Sequence, residues 1–176
     1  MIDVKVTSRQ TYKAVRGVLE LKEFTQLEIS KREEVTFSLV NRVVNWFVSH
    51  GLVVKRTGKY DLVAPVAVFS LFPLYRKMLP WRVFDVELSP ERVLEMRKGR
   101  ATLCLSSSLS FYDGYYRDPG VYAYASDEKV VQELAGLRKG FTHVELFKPD
   151  LDSSDSLEKK GHKITSKTRT VIDLFC

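Results

Sequence analysis

The chain has 176 residues, enough for one large domain or two small ones, and a hydrophobic share of 44% that predicts a packed core. Its two cysteines, Cys104 and Cys176, exclude a disulfide framework and a cysteine-based metal cluster. The opening Met1-Ile2-Asp3-Val4-Lys5 has no signal-peptide profile and no apolar run is long enough to span a bilayer, so a cytoplasmic protein without membrane partners is expected. A net charge of +6 favours a polyanionic partner. Up to Val63 there are 11 Lys and Arg against 7 Asp and Glu, which concentrates the excess in the first third.

The first predicted element is a helix from Arg9 to Lys22, with Tyr12, Val15, Val18, Leu19 and Leu21 on one broad face. Thr25 is suited to N-cap a second helix, because Glu28 stands three residues on and completes a capping box; Leu27 and Ile29 are then expected in the core. After a basic turn at Lys31 and Arg32, a third helix starts near Thr36 or Ser38. Leu39, Val40, Val43, Val44 and Phe47 form its inward stripe, while Ser38, Asn41, Arg42, Asn45 and Ser49 fall on the opposite side. Gly51 ends that helix, and His50 before it is expected to engage the helix's carbonyl end. Leu52-Val53-Val54 and Tyr60-Asp61-Leu62-Val63 read as strands joined through Thr57-Gly58. Two short helices followed by a hairpin with a cationic tip make the layout of a winged helix-turn-helix over residues 1–64.

Residues 65–80 are strongly apolar and interrupted by Pro65, Pro73 and Pro80. Val66, Val68, Phe69, Leu71, Phe72, Leu74, Tyr75, Met78 and Leu79 are too many for one surface helix, so this junction is expected to be covered by another domain or by the second copy in a homodimer. Residues 81–176 are expected to form a mixed α/β domain, making the whole an α+β protein. A strand through Phe84, Val86 and Leu88 leads into a helix from Pro90 to Lys98, and the segment from Arg100 to Tyr116 is expected to be largely helical. Strands at Val121–Ala125 and His143–Phe147 flank a helix from about Asp127 to Leu137. A polar loop from Asp150 to Lys160 and a final helix capped by Ser166 complete the chain.

The chemistry legible in these residues is that of duplex DNA recognition. Arginine matches guanine edges and asparagine matches adenine edges, so Ser38, Asn41, Arg42 and Asn45 suit readout in the major groove. Lys31, Arg32, Lys55, Arg56 and Lys59, with Thr36 and Thr57 beside them, would hold flanking phosphates. A catalytic role finds no support. Ser106-Ser107-Ser108 lacks the glycines of a nucleophile elbow and reads as small residues on a packed helix. Asp150, Asp152 and Asp155 begin like a calcium loop, but the required glycine is Asp155 and the required glutamate is Gly161, leaving a solvated acidic loop as the expectation. Glu145 and Lys148 are three apart and point to opposite faces of a strand, unlike the paired residues of metal-dependent nucleases. His143 and His162 lack metal-ligand spacing, and no phosphate-cradling glycine loop occurs, so no metal or cofactor is expected.

Two segments also carry a resemblance. Thr165-Ser166-Lys167-Thr168-Arg169-Thr170-Val171-Ile172-Asp173-Leu174 resembles the Thr-Ser-x-x-Arg-Thr-x-x-Asp-Leu signature of AbiEi-type abortive-infection antitoxins, transcriptional regulators with an N-terminal winged helix. The stretch Ala101 to Tyr124, including Tyr115-Tyr116-Arg117-Asp118-Pro119, is similar to the middle of archaeal winged-helix regulators of the same broad group. The resemblance implies an autorepressing DNA-binding protein whose C-terminal domain engages a nucleotidyltransferase-type toxin. The alternative to a regulator is therefore a non-catalytic, antitoxin-like interaction module. In physical terms Thr165 and Ser166 would cap the last helix, while Arg169 and Asp173 stand one turn apart and can pair.

Overall fold

A computed structural model of the chain describes residues 5–96, 98–116 and 118–176. The opening Met1 to Val4, Arg97 of the helix expected to reach Lys98, and Arg117 of the Tyr115–Pro119 stretch lie outside the described residues. The chain is α+β and divides into two units, Met1–Lys77 with Phe175 and Cys176, and Met78–Leu174.

In the first unit, α1 (Arg9–Leu21) buries Tyr12, Val15, Val18 and Leu19, the stripe its spacing predicts. Gly17 permits a close approach to the next helix, since a Cβ there would meet Ile29 Cγ2 and Glu33 Cγ at 3.0 Å. After the short strand β1 (Glu23–Phe24), α2 (Gln26–Glu33) starts from a complete capping box. The Thr25 hydroxyl accepts from Glu28 N–H, and Glu28 Oε2 accepts from Thr25 N–H at 2.6 Å. The Thr25 N–H, and after it the Thr25 hydroxyl, hold the Glu28 carboxyl below the ordinary glutamate pKa. Ile29 is buried as expected, but Leu27 is 52% exposed. The inward position of this short helix goes to Gln26, whose amide is satisfied by other side chains as described below.

Thr36 caps α3 (Phe37–Ser49), which buries Val40, Val43, Val44 and Phe47. The hairpin β2 (Val53–Arg56) and β3 (Lys59–Leu62) pairs Arg56 with Lys59 across the tip. β1, absent from the sequence expectation because two residues show no alternation, pairs with β3 and gives a three-stranded antiparallel sheet in the order β1-β3-β2. The apolar stretch that follows holds a short helix α4 (Pro65–Phe69) and a 3-10 turn at Phe72–Leu74. Val68 and Phe72 are fully buried, whereas Val66 at 65% and Leu74 at 73% remain exposed.

The second unit is built on a six-stranded mixed sheet, β4-β7-β6-β5-β9-β8. Its strands are β4 (Arg82–Val86), β5 (Thr102–Leu103), β6 (Val121–Tyr124), β7 (Thr142–Phe147), β8 (Ser156–Lys159) and β9 (His162–Thr165). Four helices accompany them: α5 (Pro90–Met96), α6 (Leu105–Tyr112), α7 (Glu128–Ala135) and α8 (Lys167–Phe175). Val86, Val93, Leu103, Val121, Ala123, Val130, Leu134, Val144, Leu146 and Ile164 form its core.

Two expectations are corrected here. The Arg100–Tyr116 segment is not largely helical, because Thr102 and Leu103 fill a strand slot between β6 and β9 before α6 begins. The Asp150–Lys160 segment is not a solvated loop: Ser156–Lys159 forms a hairpin with β9, and Asp152 and Asp155 are buried at 1% and 6% exposure. That hairpin turns on Lys160 and Gly161, both at positive φ (52° and 76°), the backbone a two-residue hairpin loop requires. Cys104 is buried, and Ser106, Ser107 and Ser108 are buried on α6, as a tightly packed helix demands. Among the described residues no helix is long and apolar enough to cross a membrane.

Candidate nucleic-acid interface

The exposed side of α3 follows from its capping and its packing. With the Thr36 hydroxyl accepting from Leu39 N–H and the Val40–Phe47 stripe turned inward, Ser38, Arg42, Asn45 and Ser49 are left exposed and Asn41 half-buried. His50 closes the helix: its Nδ1 lies 2.8 Å from the Trp46 carbonyl oxygen, and its ring sits 4.3 Å from the Trp46 ring. Trp46 is half-buried beside Phe47, and Val48 is 37% exposed.

The cations expected to grip phosphate separate into two groups. Lys31, Arg42 and Lys55 are exposed, and their side chains make no hydrogen bond or ion pair among the described residues. Arg32, Arg56 and Lys59 are already engaged within the unit. Arg32 reaches Glu20 at 2.5 Å and Glu33 at 3.5 Å, Arg56 pairs with Asp61, and Lys59 pairs with Glu23 at 2.5 Å. The Glu23 carboxylate raises the Lys59 pKa above the ordinary lysine value. These pairs are solvent-exposed to different degrees and can exchange for a phosphate, but each would give up an existing partner. Thr57 sits at the hairpin tip beside Gly58, and Thr36 Oγ1 lies 3.4 Å from Ser38 Oγ.

Behind this face, Glu33 pairs with Arg16 and is almost wholly buried; burial raises its pKa and the Arg16 contact offsets part of that rise. Gln26 and Tyr60 enter the site without being singled out by the sequence. Asn41 Nδ2 donates to Gln26 Oε1 at 3.0 Å, and Gln26 Nε2 donates to the Tyr60 hydroxyl at 3.2 Å. The signal available beforehand was a polar residue directly after a helix cap, at an inward position; nothing marked Tyr60.

In the second unit, Arg169 and Asp173 do pair, Nε to Oδ1 at 2.8 Å, with side-chain exposures of 3% and 0%. The Arg169 guanidinium also donates to Asp150 Oδ1 at 2.5 Å and to the Tyr124 hydroxyl at 2.7 Å. Ser166 Oγ accepts from Arg169 N–H and caps α8. Thr165 does not cap it; its hydroxyl joins Ser108 and Thr170 in a buried cluster. Arg169 lines a cavity of about 230 Å³ with Tyr124, Asp150, Asp152, Asp155 and Lys163. Among the described residues there is no group of three or more His, Cys, Asp or Glu that could hold a metal ion. His143 lies between two carboxylates, with Nδ1 2.9 Å from Asp85 and Nε2 3.0 Å from Glu145. Comparison of the chain with protein-family models, with curated proteins and with solved structures gave no match.

Proposed function

We propose that the first unit is a winged helix-turn-helix that binds duplex DNA, and that the protein is a cytoplasmic transcriptional regulator, a repressor acting as a homodimer. In this reading α3 enters the major groove while the β2–β3 hairpin follows the backbone. The observation that carries it is the exposed strip of α3, where the Arg42 side chain has no partner among the described residues, together with Lys31 on α2 and Lys55 on the hairpin in the same condition. Cations without a carboxylate partner can neutralise phosphate without giving up an ion pair, and these three are in that state. Arg32, Arg56 and Lys59 are secondary, because each must first leave a carboxylate.

The homodimer rests on the apolar side chains of residues 65–80 that the single chain leaves in solvent, Leu79, Leu74 and Val66 foremost. A second copy of the chain is the occupant that also fits the DNA reading, since a two-fold protein matches a two-fold operator. Selection from a random duplex pool tests the whole reading. The expected result is a recurring pseudo-palindrome whose half-sites are about one helical turn apart, or a multiple of it. A pool that shows no enrichment after repeated rounds counts against it.

A further inference from the structure

The polar face of α3 contains a chain of hydrogen bonds that divides its side chains by role. Asn45 Nδ2 donates to Asn41 Oδ1 at 2.9 Å, Asn41 Nδ2 donates to Gln26 Oε1 at 3.0 Å, and Gln26 Nε2 donates to the Tyr60 hydroxyl at 3.2 Å. The relay runs inward from solvent, with Asn45 exposed, Asn41 half-buried and Gln26 buried. Its far end is fixed in the hairpin, where the Tyr60 ring stacks on buried Phe24 with centroids 5.8 Å apart. A buried amide left unpaired is costly, so Gln26 holds both of its neighbours in place.

A side-chain amide has one acceptor oxygen and two N–H donors. Asn41 is bonded at both ends of its amide, its oxygen to Asn45 and one N–H to Gln26, and it is half-buried, so turning it to a base would break contacts that hold its neighbours. Asn45 uses one N–H on Asn41 and keeps its oxygen and its second N–H. That remaining acceptor and donor pair is the complement of the adenine N6 and N7 edge. Arg42, three residues earlier, keeps its whole guanidinium fork, the complement of guanine O6 and N7. Three residues advance about 4.5 Å along a helix, comparable with the roughly 3.4 Å between successive bases of a strand.

We propose that Asn41 is a positioning residue and not a base reader: through the Tyr60–Gln26–Asn41 relay it fixes the Asn45 amide, so that Asn45 reads an adenine and Arg42 a guanine on neighbouring base pairs. This rests on the proposed entry of α3 into the major groove, and it narrows the four groove-facing residues expected from the sequence to two.

The test is competition binding by the full chain at one salt concentration, comparing the selected duplex with its single-base variants. For the unsubstituted protein, replacing the guanine or the adenine lowers affinity about tenfold each. Arg42→Ala loses the guanine preference alone, and Asn45→Ala the adenine preference alone. Asn41→Leu, which cannot accept from Asn45, loses the adenine preference and keeps that for guanine. Asn41→Asp still accepts from Asn45, and a flip of the Gln26 amide lets its Nε2 donate to the carboxylate while the Tyr60 hydroxyl donates to Oε1, so the relay is kept and the adenine preference is retained although the charge weakens binding to every duplex. A merely structural role for Asn41 would lower affinity for all sequences alike and leave the preferences intact. Should Asn41→Leu fail to fold, Tyr60→Phe cuts the same relay and is expected to weaken the adenine preference while sparing guanine. An unchanged adenine preference in Asn41→Leu and Tyr60→Phe, or a selected site without neighbouring guanine and adenine, overturns the proposal while leaving DNA binding standing. No binding of any duplex by the unsubstituted protein overturns both.

Discussion

His143 shows how strand register creates a titrating group that linear spacing hides. β4 and β7 pair antiparallel with Asp85 opposite His143, and Glu145 lies two residues on along the same face, so the imidazole is held from both nitrogens. The Asp85 contact, and after it the Glu145 contact, raise the His143 pKa above its ordinary 6.5. A histidine with a raised folded-state pKa stabilises the fold fully below its unfolded value and loses that contribution as pH rises through the raised one. Thermal stability should therefore fall as pH rises from about 6.5, and His143→Gln should flatten that part of the profile. Identical melting profiles for the two proteins over this range would contradict the assignment. Arg169 presents the buried counterpart. With its guanidinium 3% exposed and Asp173 wholly buried, Arg169→Leu removes the cation from a buried carboxylate that keeps the Tyr124 hydroxyl as a donor, and is expected to cost about 3–5 kcal/mol in urea denaturation. A cost below about 1 kcal/mol would show that the pair does not hold α8 in place.

At the scale of elements, what was legible in the sequence was what strong local chemistry dictates. The capping box at Thr25 and Glu28, the inward stripe of α3 from Val40 to Phe47 with Leu39 half-buried at its edge, and the Ser166 start of α8 each satisfy their own backbone or bury their own face. The strands that the pattern does not show share one cause: each is short and exists only through a distant partner. Glu23–Phe24 is a strand only because β3 offers it a ladder, and Thr102–Leu103 only because β6 and β9 leave a slot. Ser156–Lys159 was hidden in the same way, its turn carried by a lysine at positive φ beside Gly161. Within the candidate site, exposure of Arg42 and Asn45 was legible from helical periodicity. The Asn45–Asn41–Gln26–Tyr60 relay was not, since it joins α3, α2 and β3 through side-chain lengths that no spacing rule encodes. Nor could the pattern separate the cations bonded within the unit, Arg32, Arg56 and Lys59, from the three that are not.

The molecule as a whole joins a basic first third to residues 65–80, where Val68 and Phe72 are buried and Val66, Leu74 and Leu79 are exposed in the single chain. If those side chains join two copies, sedimentation should show a concentration-dependent dimer, and Leu74→Glu, at a position 73% exposed in the single chain, should shift it to monomer while keeping a cooperative melting transition that no longer depends on concentration. An unsubstituted protein that stays monomeric at every concentration would remove the homodimer from the proposal. The central claim is that this surface binds duplex DNA through cations held ready for phosphate, and its most direct measurement is the salt dependence of affinity for a duplex. Log K is expected to fall linearly with log salt, and Lys31→Ala and Lys55→Ala are each expected to reduce the slope by about one, with a smaller change for the carboxylate-paired Lys59→Ala. Affinity that is absent at low salt, or flat as salt rises, would contradict it.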